Sequence, residues 1–177
     1  DLKKLGFWND TLVIHDVHLN LNMAAKNIDE LQGKFVADSL SFTADTNTHF
    51  VQKIDVTADT ADGQRRFQVY SSLLDLNMAG NFKFVPLISN LLYNANSYFP
   101  SLKLNYDTAL ARTDQRLYFD ITLKNMKPVF DVFVPDLYVT PNTTLSGRYF
   151  SELRTAELDL QSGYIRYKKM KVSDPEL

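Results

Sequence analysis

The stretch Ile14-His15-Asp16-Val17-His18 brings two imidazoles and a carboxylate close together. Those groups bind transition metals or move protons near neutral pH. The flanking residues alternate apolar and polar, so the stretch reads as a strand, where His15 and His18 point to opposite faces. Two donors sharing one ion on a strand need spacing i, i+2, so no metal or acid–base site is expected. His49 stands alone beside an expected turn. Asp59-Thr60-Ala61-Asp62-Gly63 has the carboxylates of a calcium loop but lacks its ligand spacing and closing Glu. It reads instead as a hairpin turn on Asp62-Gly63, a pair that tolerates positive φ. Asn9-Asp10-Thr11 and Asn142-Thr143-Thr144 match the glycosylation acceptor pattern, which matters only in a secreted eukaryotic protein. With no Gly-rich phosphate loop, nucleophile elbow or Cys/His cluster, nothing calls for an enzyme, a metal or a cofactor.

Bulk properties narrow the class further. The chain has 177 residues, 45% apolar and 23% charged, with net charge −2. That suits one folded domain over 1–177 with a sizeable core. Nucleic-acid binding is not expected, because phosphate contacts need clustered Lys and Arg. The basic run Arg166-Tyr167-Lys168-Lys169-Met170-Lys171 is short and reads as a solvated strand face. There is no cysteine, which excludes disulfides and thiol chemistry. No run of about 18 apolar residues could form a membrane helix, and residues 1–10 lack the apolar core of a signal peptide. Opening on Asp1, the chain reads as a piece of a longer protein.

The elements that hold these residues are mostly strands. Period-two alternation puts Val17, Leu19 and Leu21 on one face of 11–23, and Phe50, Ile54 and Val56 on one face of 49–59. Leu74, Leu76 and Met78 follow in 73–82. Leu102, Leu104 and Tyr106 do so in 101–110, and Leu117, Phe119, Ile121 and Leu123 in 116–124. Two stretches have helical periodicity instead. Phe84, Leu87, Ile88, Leu91, Leu92 and Ala95 mark one amphipathic helix, with Pro86 in its first turn and Pro100 at its exit. Met126, Val129, Phe130, Phe133 and Val134 mark another, with Pro128 near its start and Pro135 as its stop.

A sheet of nine or ten half-apolar strands cannot lie flat in water. Exposing several hundred Å² of apolar surface forfeits on the order of 10 kcal/mol, and two short helices cannot cover it. The sheet is therefore expected to cover itself by curling. Three of the six glycines recur in one arrangement, Leu31-x-Gly33-x-Phe35, Met78-x-Gly80-x-Phe82 and Leu145-x-Gly147-x-Tyr149. Mid-strand glycines mark bends or close approaches, and an aromatic ring can cover the bare backbone. Gly33, Gly80 and Gly147 are thus expected to bend the sheet with its apolar side inward. After Gly33 the apolar parity slips to Val36, Leu40 and Phe42, which predicts a bulge near 35–37.

LQGKF (31–35), LNMAGNF (76–82), TLSGRY (144–149), LISNLLYNANSYFP (87–100) and TAELDLQSGYIRYKKMKV (155–172) together resemble the AsmA-like/TamB family of the Gram-negative envelope, most clearly over 70–172. The resemblance implies a mainly β fold: a curved antiparallel, trough-like (half-pipe) sheet with an apolar interior and two short amphipathic helices. It also implies a non-enzymatic, cofactor-free segment of a periplasm-spanning protein anchored in the inner membrane. The implied work is phospholipid transport to the outer membrane, or outer-membrane protein assembly with a barrel partner. The groove lining would be the inward sets above, meeting phospholipid or other apolar chains. Exposed edge strands could pair with a second copy. A closed lipocalin-like barrel holding one small apolar ligand is the alternative, and an outer-membrane barrel a further one.

Overall fold

The computed structural model describes residues 12–44, 47–98, 100–153 and 155–173; the acceptor site at Asn9 lies outside them. The described residues open with three long strands, β1 (Leu12–Ala24), β2 (Gln32–Ala44) and β3 (Asn47–Ala61), followed by β4 (Gln64–Ser71) and β5 (Leu74–Asn81). Helix α1 (Phe84–Tyr98) precedes β6 (Arg116–Leu123), and α2 (Lys127–Phe133) precedes β7 (Leu137–Val139) and β8 (Thr143–Phe150). Strands β9 (Thr155–Gln161), β10 (Tyr164–Tyr167) and β11 (Met170–Ser173) complete the described chain.

Eight strands form one antiparallel sheet in the order β1-β2-β3-β4-β5-β6-β8-β9. Spatial order follows chain order, with α1 inserted between neighbours β5 and β6, and α2 and β7 between neighbours β6 and β8. β1 and β9 are opposite edges and do not meet, so the sheet is open and the closed-barrel alternatives do not form. A second sheet, β11-β10-β7, continues the β8/β9 ribbon past a break. At the break Thr140 and Tyr164 exchange backbone and side-chain hydrogen bonds of 2.9–3.1 Å. The Thr143 and Ser162 hydroxyls meet at 2.6 Å.

Both proline-bounded helices occur where the periodicity places them, and Pro128 sits in the first turn of α2. The expected turn between β3 and β4 also forms, with Asp62 at φ 54° and Gly63 at φ 72°, positive values that match the right-handed twist of a tight hairpin.

Two expectations are corrected. Residues 101–110 are not a strand: Pro100–Leu102 and Leu110–Arg112 are 3-10 turns with irregular chain between. Lys103, at φ 47°, breaks the extension. The Leu104 N–H bonds the Asn96 side chain at 3.2 Å, and the Tyr106 ring meets Tyr93 edge-on at 5.6 Å. This segment therefore packs on α1, and Leu102, Leu104 and Tyr106 lie off the sheet. The bulge after Gly33 also falls later than expected. Ser39 takes φ 59°, and the β1–β2 register shifts around Asp16. In β3, Val51 is 1% exposed, while Phe50 is 62% exposed. Phe50 pairs with Ser41 in a β2–β3 register without a shift, which also pairs Ile54 with Ala37 and Val56 with Phe35.

Candidate functional site

Cross-strand register decides which side chains share a face, because directly paired residues point the same way. One row crosses the whole sheet: Leu21, Phe35, Val56, Val69, Leu76, Ile121, Leu145 and Leu160, one residue from each strand. Every member is apolar, and none is fully buried. At about 4.8 Å between strands the row runs roughly 34 Å. The next row toward α1 is Met23, Gly33, Ala58, Phe67, Met78, Phe119, Gly147 and Leu158. On the other side lie Leu19, Ala37 and Ile54, and across the sheet Leu74 and Leu123. The inward sets of β1, β5 and β6 are thereby gathered on one face.

Helix α1 covers only one end of this face. Phe82, Leu87, Leu117 and Tyr149 form the buried cluster, with Phe67, Met78, Phe84 and Phe119 packed against it. The β1 side is left open: Leu19 and Leu21 are 60% and 66% exposed, and Val17 is half-buried. A shallow cavity of about 580 Å³ lies at that side, between the ends of β1, β2 and β3 around Met23, Gly33 and Ala58.

The three motif glycines sit at close approaches between strands. A Cβ on Gly33 would lie 2.1 Å from the Asn22 carbonyl oxygen, and one on Gly80 2.1 Å from that of Arg116. Both adopt positive φ, 120° and 140°. At Gly147 the Cβ would lie 2.2 Å from the Glu157 carbonyl oxygen and 3.1 Å from the Phe119 ring. The ring over this glycine belongs to its cross-strand partner, not to the aromatic two residues on in its own motif.

Helix α1 is seated by polar groups that periodicity does not reveal. The Phe84 and Val85 N–H groups donate to the Asp29 carboxylate, in the connection between β1 and β2. Arg65 donates to the Ile28 and Asp29 carbonyls at 2.9 and 2.8 Å, and its guanidinium lies 4.8 Å from the Phe84 ring centre. Asn90 is buried and donates to the carbonyls of Pro86, Leu110 and Thr113. The Tyr149 hydroxyl donates to Asn90 at 3.3 Å and accepts from Asn94 at 2.8 Å. Asn90 and Asn94, at i and i+4, were the available signal that this side of the helix faces the core. Ile88 and Leu91, two of the apolar residues that mark the helix by periodicity, are exposed.

The histidines do not converge. His15 Nε2 lies 2.7 Å from the Thr43 hydroxyl, and His18 lies 3.9 Å from Asp16 on the surface. His49 Nε2 is buried 3.6 Å from Asp131 of α2. Among the described residues no three His, Asp or Glu side chains group as metal ligands would. Compared with protein families, curated proteins and solved structures, the chain matches none.

Proposed function

We propose that this domain is a non-enzymatic segment of an apolar β-groove that carries phospholipid acyl chains, within a longer periplasmic protein anchored in the inner membrane of a Gram-negative cell. The observation that carries the reading is the eight-residue apolar row from Leu21 to Leu160, continuous across an open sheet and incompletely buried along its length. A packed core would bury such a row fully; here Leu21 is exposed and the other seven members are half-buried, which suits a surface that meets an apolar partner. Lipid tails suit it, because a row of aliphatic side chains offers dispersion contacts and no hydrogen-bonding code.

Such a segment would serve phospholipid movement to the outer membrane. Assembly of outer-membrane proteins with a barrel partner is a second reading, favoured by the β1 edge. Between Val17 and Ala24 that edge carries no charged Lys, Arg, Asp or Glu and no Pro, the residues that ordinarily block strand addition. The same edge could pair two copies of the chain.

Native mass spectrometry of the detergent-free protein, followed by organic extraction, tests the groove. Phospholipids of mixed chain length are the expected result. A ligand-free monomer that also fails to take up added phospholipid would refute it.

A further inference from the structure

The small sheet has two chemically distinct faces. Register places Leu137, Val139, Ile165, Tyr167, Met170 and Val172 on one of them. α2 contacts β7 at one side of this sheet, while toward β11 the apolar face is open: Met170 is 67% exposed, and Tyr167 and Val172 are exposed too. The opposite face carries Tyr138, Tyr164, Arg166 and Lys171. There the two tyrosine rings stack at 5.1 Å, Lys171 lies 4.6 Å from the Tyr164 ring centre and Arg166 5.8 Å from that of Tyr138. Lys168 and Lys169 form the hairpin turn, with Lys168 at φ 53°.

Charge is segregated here. Residues 164–173 hold four of the 19 basic residues, Arg166, Lys168, Lys169 and Lys171, and none of the 21 acidic ones. Elsewhere acidic residues are interspersed and hold some of the cations in ion pairs, as in Arg148–Glu157, Arg116–Glu152 and Lys124–Asp75. Among the described residues none of the hairpin's four is in an ion pair.

From this we infer that the β10–β11 hairpin docks on an anionic phospholipid surface. Its apolar edge, Tyr167, Met170 and Val172, enters the boundary between headgroups and acyl chains. The flanking lysine stems extend so that their ammonium groups meet lipid phosphates. A nucleic acid would use the same charges, but it offers nothing to cover Met170 and Val172, and Tyr138 and Tyr164 are already engaged by each other and by cations. This inference is independent of the groove, which lies on the large sheet.

The test is co-sedimentation of the 177-residue protein with vesicles of phosphatidylcholine alone and of phosphatidylcholine with 30 mol% phosphatidylglycerol. Binding is expected on the anionic vesicles only, weakening as NaCl rises from 50 to 500 mM, because screening shortens the reach of surface charge. At about fivefold per basic residue near the surface, Lys168→Glu/Lys169→Glu/Lys171→Glu is expected to weaken binding at least a hundredfold. Met170→Asp should weaken it on the same vesicles, while Leu153→Asp, at an exposed leucine between β8 and β9, should leave it unchanged. All substituted side chains are exposed, and circular dichroism checks that each variant folds. Equal binding to neutral vesicles, no binding to anionic ones, or full binding by the triple variant would overturn the proposal. So would tighter binding to a single-stranded oligonucleotide that is indifferent to Met170→Asp.

Discussion

Asp29 caps a helix that begins 55 residues further along the chain. Its carboxylate accepts the backbone N–H of Phe84 and, at 3.3 Å, that of Val85, two of the donors a helix leaves unpaired at its start. The residues just before α1, Asn81 to Lys83, supply no such cap. The lid on one end of the apolar face is thereby fastened to the β1–β2 connection. Asp29→Ala is expected to cost about 1 kcal/mol, read as a lower urea midpoint, whereas Asp29→Asn should retain most of the stability. Equal losses in the two variants would assign the effect to charge and not to capping.

The glycines separate strain from collision. Gly80→Ala places a methyl group 2.1 Å from the Arg116 carbonyl oxygen at φ 140°, so the two strands must part. A loss of about 2–3 kcal/mol is expected. Gly63→Ala meets nothing within 4 Å at φ 72° and should cost only the left-handed penalty of about 1 kcal/mol. Thermal or denaturant unfolding of the pair measures the difference. If Gly80→Ala costs no more than Gly63→Ala, the close approach at Gly80 is not rigid.

Tyr149 makes stability depend on alkaline pH. Burial raises its phenol above the ordinary value of 10.0, with the Asn94 hydrogen bond opposing the shift. The folded state thus favours the neutral form. Its contribution is fully present below pH 10 and is lost as pH rises through the raised folded value. Unfolding midpoints between pH 8 and 12 should fall more steeply for the native protein than for Tyr149→Phe. At pH 7 the same variant should lose about 1–2 kcal/mol, because the Asn94 amide and the Asn90 carbonyl each lose a partner. Parallel pH profiles would refute the assignment.

The proposed groove and the core can be told apart on one face. Leu21 is 66% exposed and Leu117 is 5% exposed. Leu21→Arg should leave the unfolding midpoint within about 0.5 kcal/mol of the native value and reduce phospholipid uptake. Leu117→Arg buries an unpaired charge and should cost about 3–5 kcal/mol. Normal lipid uptake by a folded Leu21→Arg protein would remove β1 from the groove.

Much of this structure is local in origin and was legible in the sequence. Alternation marked most of the strands and which residues of β1, β5 and β6 share a face, since a strand's two faces are written at period two. Proline positions bounded both helices, and Asp62-Gly63 marked its hairpin. Alternation failed at 101–106, where apolar residues at i, i+2 and i+4 belong to irregular chain that packs on α1. The parity change after Gly33 was legible, but its place was not: it falls at Ser39, with the β1–β2 register shift around Asp16. No local pattern carries such events, since they depend on what the partner strand does.

Only the tertiary structure decided three matters. It left β1 and β9 apart, so that the sheet stays open and the Leu21–Leu160 row remains accessible. It turned α1 so that Leu87 and Asn90 face inward and Ile88 and Leu91 outward, with the Asn90 amide held by three carbonyl acceptors. And it laid the β10–β11 hairpin on β7, with Ile165 opposite Val139, so that cations without an ion pair among the described residues flank an apolar edge open toward β11. Residue types and their periodicity determine which faces are apolar. Which of those faces are covered depends on long-range pairing, and that is where this protein's function is decided.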